Sequence, residues 1–155
     1  MQQIVFDFDG PLFDGRKAAQ SALEQTFNQF ESRFGRPQLS FATVPLFGPR
    51  TLVSMFYHDL ERSAREEIRI YYQTKLHAAE RLLGVEPSVH STLQKLRQLG
   101  CPLAVFSARK EDELRSLMDH LGLLRGRRYF TTCCELSGLI VPSSKVIFEL
   151  ESYLR

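Results

Sequence analysis

The sequence is short of cysteine: it has only Cys101, Cys133 and Cys134, two of them adjacent and none in a C-x-x-C pair. An odd count with that spacing excludes a disulfide framework and a zinc cluster, so the thiols read as reduced and mostly buried. Long apolar runs are also missing. No stretch approaches the roughly 20 residues that a bilayer span needs. The amino-terminal residues enter an apolar strand directly, without the apolar core of a secretory leader. A cytoplasmic protein with no membrane partner is the expectation. Net charge is nearly absent too, at +2, and no run of Lys or Arg is interleaved with aromatics, so nucleic acid is not an expected partner. Arg125, Arg127 and Arg128 read as a solvated turn after a helix. What remains is 155 residues, 43% hydrophobic and 25% charged, enough to build one core and a small inserted lobe.

The most informative stretch is Ile4-Val5-Phe6-Asp7-Phe8-Asp9-Gly10-Pro11-Leu12-Phe13-Asp14, a short apolar strand that stops on two alternating carboxylates and a Gly-Pro turn. Residues two apart on a strand share a face, so Asp7 and Asp9 project together while Phe6 and Phe8 point into packing. Their repulsion raises one of the two pKa values unless a cation intervenes. Such a pair suits one carboxylate that attacks and one that carries a proton, and a divalent metal could supply the missing positive charge. Gly10 frees the turn to take angles closed to other residues, and Pro11 stiffens its exit, so that the loop amides can face an anion.

Further along, Ala18, Ala19, Ala22, Leu23, Thr26, Phe27, Phe30 and Phe34 recur at helical spacing until Gly35 and Pro37. Segment 38–50 reads as a loop, and helical patterns follow near 50–60 and 63–83, ending at Gly84. The second half alternates. It comprises a helix over 88–99 with Val89, Leu93, Leu96 and Leu99 inward, a strand from Pro102 to Phe106, a helix over 111–121, and a strand from Tyr129 to Cys133. A turn near Gly138 then leads to a helix opened by Lys145. This alternation predicts a Rossmann-like parallel α/β sheet with helices on both faces, whose ligands bind beyond the carboxyl ends of the strands. Asp7, Asp9 and Ser107 all fall there. Ser107 at a strand-to-helix junction reads either as a helix cap or as a ligand contact together with Ala108. Arg109 and Lys110 read as solvated surface first and as substrate contacts second.

The segment Asp7 to Asp14, DFDGPLFD, resembles the first motif of the haloacid dehalogenase superfamily, DxDGTxxD, with Pro11 in place of the usual Thr. The helical insert after it is similar to that of the phosphoglycolate phosphatase and β-phosphoglucomutase branch. The resemblance implies an α/β core over 1–15 and 86–155 and a helical cap over 16–85. It implies a phosphatase acting on a small phosphorylated metabolite through an aspartyl-phosphate, with Asp7 as nucleophile and Asp9 as acid-base group. The aspartate at the second position favours phosphoryl transfer over carbon–halogen cleavage. Ser107 matches the second motif, which contacts a phosphoryl oxygen. Lys145 matches the third, although an alignment on Phe148 puts Pro142 there instead. Mg²⁺ would be held by Asp7 and the backbone carbonyl of Asp9. On the cap, Arg50 beside the Gly48-Pro49 turn reads as a contact to a substrate carboxylate or second phosphate, or as a helix-start surface residue.

The family's fourth motif, with its further metal-binding aspartates, is not found after Lys145, which reads equally as a truncated chain or as a natural short form that needs a partner. Without the strand that carries that motif, the strand Ile4 to Phe8 becomes an exposed apolar edge that invites a homodimer or strand exchange. Two other readings share the resemblance: a catalytically impaired protein that binds ligands or partners, and a phosphomutase.

Overall fold

A computed structural model describes residues 4–38, 48–124, 130 and 132–135. The element order is β1 (Ile4–Asp7), α1 (Arg16–Phe34), α2 (Pro49–Phe56), α3 (Arg62–Glu80), α4 (Pro87–Gln98), β2 (Leu103–Ser107), α5 (Glu111–His120) and β3 (Thr132–Glu135). The three strands form one parallel sheet in the order β1-β2-β3. The fold is therefore α/β, as the alternation in the second half predicts. Among the described residues, β1 is an edge strand, and no helix is long and apolar enough to cross a membrane.

The helix ends follow from local chemistry. Pro49 and Pro87 open α2 and α4, where a missing N–H removes nothing the helix uses. Glu111, Asp112 and Glu113 occupy the first turn of α5, beside the positive end of its dipole. Helix α1 stops at Gly35, whose φ of 76° lies in the left-handed region.

Two apolar clusters result. One gathers Phe8, Phe13, Leu103, Val105, Leu114 and Met118 around the sheet. The other gathers Leu23, Phe27, Phe30, Leu52, Ile68 and Tyr72 from α1, α2 and α3. Leu83, just past α3, packs against both. The seven residues from Ala18 to Phe30 expected on the inner face of α1 are all buried, and Phe34 packs at the margin of the cluster.

Three expectations are corrected. Leu99 was expected to face inward on α4, but it is 75% exposed. The helix ends at Gln98, and the chain turns away through Gly100 at φ 75°, so Leu99 leaves the face that Leu93 occupies. Strand pairing in β1 stops at Asp7 rather than Phe8, because Phe8 already enters the turn closed by its carbonyl, which accepts from Leu12 and Phe13. Of the strand expected from Tyr129 to Cys133, Tyr129 and Thr131 lie outside the described residues; β3 covers Thr132–Glu135 and so runs two residues past Cys133. Cys101 is a half-buried free thiol. The arginine group near 125–128, the turn near Gly138 and the helix after Lys145 lie outside the described residues.

Candidate active site

The parallel register sets the ends of β1 and β2 side by side. Asp7 lies opposite Phe106, and the Phe8 N–H donates to the Phe106 carbonyl at 3.1 Å. The chain then bends, and Asp9 bridges to Phe13 across a loop in which the Gly10 N–H donates to the Phe13 carbonyl at 2.9 Å. Gly10 has a φ of 108°, a conformation that L side chains rarely adopt. Since its amide is committed to the loop, Gly10 contributes turn geometry rather than the free anion-facing amide expected for it. Phe8, fully buried and stacked on Phe13 with centroids 5.6 Å apart, anchors this turn in the sheet core.

Beyond the strand ends, Ser107 is buried. Its hydroxyl lies 3.4 Å from Asp9 Oδ2 and accepts the Arg109 N–H at 3.1 Å. That second contact is a local turn ahead of α5, whose N-cap is Lys110 without a side-chain cap, so the helix-cap reading of Ser107 is corrected; the first contact brings Ser107 into the carboxylate site. Ala108 is exposed beside it.

Arg109 overturns its expectation. It is not solvated surface: its side chain is 16% exposed and forms ion pairs with Asp9 at 2.6 Å and with Glu80 at 2.7 Å. Nε also reaches both oxygens of Asp9, at 3.2 and 3.0 Å. Burial alone would lower the guanidinium pKa; the hydrogen bonds and charges of Asp9 and Glu80 more than reverse that and raise it. Lys110 is exposed, as expected.

Asp7 shows the upward shift that the paired carboxylates predict, with a different leading cause. Desolvation of its carboxyl is the largest contribution, the charge of Asp9 adds to it, and backbone hydrogen bonds from Phe8 and Asp9 oppose it. Among the described residues no ion pair involves Asp7. Two hard oxygen donors with an unneutralised carboxylate match the chemistry of Mg²⁺, which takes few protein carboxylates and completes its shell with water and phosphate. No cluster of three or more metal-capable side chains forms among the described residues. The Asp7 carboxylate and the Asp9 carbonyl, the ligands the family resemblance implies, could by themselves supply only part of such a shell.

Arg50 is exposed in the first turn of α2, near enough to Glu66 to help hold that carboxylate charged. It is not in the cavity of about 240 Å³ lined by His77, Glu80 and Arg81 from the end of α3 and its exit, by Arg109, and by Glu113 and Ser116 of α5; that cavity's lining includes neither Asp7 nor Asp9. Lys145 lies outside the described residues. The site residue the sequence reading missed is Glu80. Its signal is the stripe Ile68, Tyr72, Leu76, Glu80, in which a glutamate takes the next four-residue step of an apolar face and so requires a buried cation.

The haloacid dehalogenase-like hydrolase family model matches residues 4–135. No curated protein matches the sequence. Among solved structures, a haloacid dehalogenase-like family hydrolase from Streptococcus pneumoniae is similar, with TM-score 0.68 and 18% identity, over 99% of this chain and 70% of that one. A predicted phosphoglycolate phosphatase from Haemophilus somnus gives TM-score 0.76 and 15% identity, over 99% and 72%. A β-phosphoglucomutase from Clostridium difficile gives 0.68 and 13%, over 99% and 70%. At these identities the likeness speaks for the fold.

Proposed function

The chain belongs to the haloacid dehalogenase-like hydrolase family, and we propose that it hydrolyses a small phosphomonoester through a covalent intermediate on Asp7. The fold is one that phosphatases and phosphomutases share. The observation that carries the reading is the meeting of Asp7, Asp9 and Ser107 at the adjoining ends of two parallel strands, 98 residues apart in sequence for the Ser107–Asp9 contact. Loops beyond the carboxyl ends of parallel strands are where such sheets bind ligands.

In this reading the Asp7 carboxylate attacks phosphorus, the ester P–O bond breaks, and the leaving oxygen takes a proton from Asp9, one of whose oxygens must first leave the Arg109 fork to carry it. Water then attacks the aspartyl-phosphate, giving its proton to Asp9 and releasing phosphate with Asp7 restored. Ser107 donates to a phosphoryl oxygen, and Lys145, by the family resemblance, neutralises charge at the same group. Mg²⁺, held by the Asp7 carboxylate and the Asp9 carbonyl, would supply positive charge for the phosphoryl oxygens.

The test is Mg²⁺-dependent hydrolysis of a generic aryl phosphate by the wild type beside Asp7→Asn. Loss of a covalent nucleophile is expected to cost about 10³-fold or more in kcat. Equal rates in the two proteins would refute the proposal.

A further inference from the structure

The carboxylate of Asp9 sits in a bend outside the regular strand, so something other than strand geometry must fix its direction. Ser107, at 3.4 Å, is too distant to do so alone. Arg109 has the means. Its Nε and Nη2 reach the two Asp9 oxygens at 2.6–3.2 Å, and a planar guanidinium fork fixes both the tilt and the rotation of a carboxylate. The fork is itself held from two sides. Its Cζ lies 5.6 Å from the centroid of the buried Phe8 ring, and Nη2 donates to Glu80 Oε1 at 2.7 Å. Glu80 is the last residue of α3, and its side chain is only 3% exposed. One nitrogen thus serves both carboxylates, and any displacement of the last turn of α3 pulls on the group that aims Asp9. A second line joins the same helix to α5, where Gln73 Nε2 donates to Glu113 Oε1 at 2.9 Å.

We propose that Arg109 is a positioning residue that aims the Asp9 carboxylate, and that Glu80 makes this aim depend on where the three-helix lobe sits. The role rests on the phosphatase reading above. It differs from simple neutralisation of the buried Glu80 and the half-buried Asp9, which any arrangement removing the buried charge would satisfy.

The distinction can be measured. Arg109→Lys keeps the charge and loses the fork; kcat on an aryl phosphate is expected to fall roughly tenfold or more, with KM nearly unchanged, since a misaimed group slows chemistry more than binding. Arg109→Ala would strand Glu80 in the interior and is prone to unfold. The stable comparison is therefore Arg109→Met with Glu80→Met, which replaces the pair by apolar side chains. Its melting temperature is expected to match the wild type while kcat stays low. If either variant turns over like the wild type, Arg109 serves stability alone and the proposal is overturned. If the wild type itself shows no Asp7-dependent turnover, the phosphatase reading fails and takes this role with it, a different result from the first. The link to α3 has a readout independent of activity: the Nε–H proton signal of Arg109 in nitrogen-15-labelled protein. Nε touches Asp9 and not Glu80, so a shift of that signal on Glu80→Gln supports transmission through the guanidinium, and an unmoved signal overturns it.

Discussion

The sheet lobe and the three-helix lobe both bury large aromatic residues, but they differ in what lies at the edge of the apolar cluster. In the helical lobe, Phe27 packs edge-on against Phe56 and Tyr57, and Phe30 against Tyr71, and the cation over Phe30, Arg33, pairs with the exposed Glu67. In the sheet lobe, Phe8 has the Phe13 ring on it and, within cation–π reach, the largely buried Arg109 guanidinium, which pairs with Asp9 of the site. The first arrangement ends at a surface ion pair. The second makes the core a support for the site, and the same loss of volume should therefore have different functional consequences in the two lobes.

The largest effect should come from Phe8→Ala. Truncating a fully buried phenylalanine costs about 3–5 kcal/mol, and here it also removes the support under Arg109 and Asp9. Both the melting temperature and kcat, assayed well below the transition, should fall. Phe27→Ala, equally buried, should cost a similar ~3–5 kcal/mol in thermal unfolding while kcat of the folded fraction stays close to wild type. If Phe27→Ala lowers kcat as much as Phe8→Ala, the contrast between the lobes is broken.

A smaller effect is expected from Gly10→Ala. A Cβ there meets nothing within 4 Å, so the penalty is backbone strain at φ 108° rather than collision. That strain is of order 1–3 kcal/mol, visible as a lower melting temperature together with reduced turnover, because the turn carries Asp9.

The smallest effect has the opposite sign. Asp7 has a raised pKa in the folded protein, so the native state holds its proton more tightly than the unfolded chain does. Its contribution to stability therefore declines as pH rises from the unfolded value through the folded one, and above both it is a net cost. Asp7→Asn should accordingly melt slightly higher than wild type at neutral pH in a chelator-containing buffer. The gain is expected to be small, because the residue is exposed and solvent screens it. At a pH below the ordinary aspartate range the difference should vanish.

The contrast also marks what sequence reasoning could reach. The stripe from Ala18 to Phe30 and the boundaries of α1 and α5 are local properties of spacing and caps, and they were legible. So was the placement of Asp7, Asp9 and Ser107 at neighbouring strand ends, since a parallel sheet puts those ends together. Arg109 was not. Next to three acidic residues at a helix start it has every local mark of a surface cation, and its partners stand 100 and 29 residues away. Pairing over such separations is decided by how the lobes pack, which no window of sequence encodes. Leu99 failed for a smaller reason: it fits the apolar period of α4, but the helix ends one residue too early to keep it on that face.

Ser107 adds a constraint of its own. A hydroxyl has a single hydrogen to give, and here that hydrogen is directed along a long contact towards Asp9, while the oxygen already receives the amide of Arg109. An incoming phosphoryl oxygen can claim the hydrogen only by ending its contact with the carboxylate. In the proposed reaction, ligand arrival would thus compete with the Ser107–Asp9 contact for one proton, and the seryl group would act as a two-position selector.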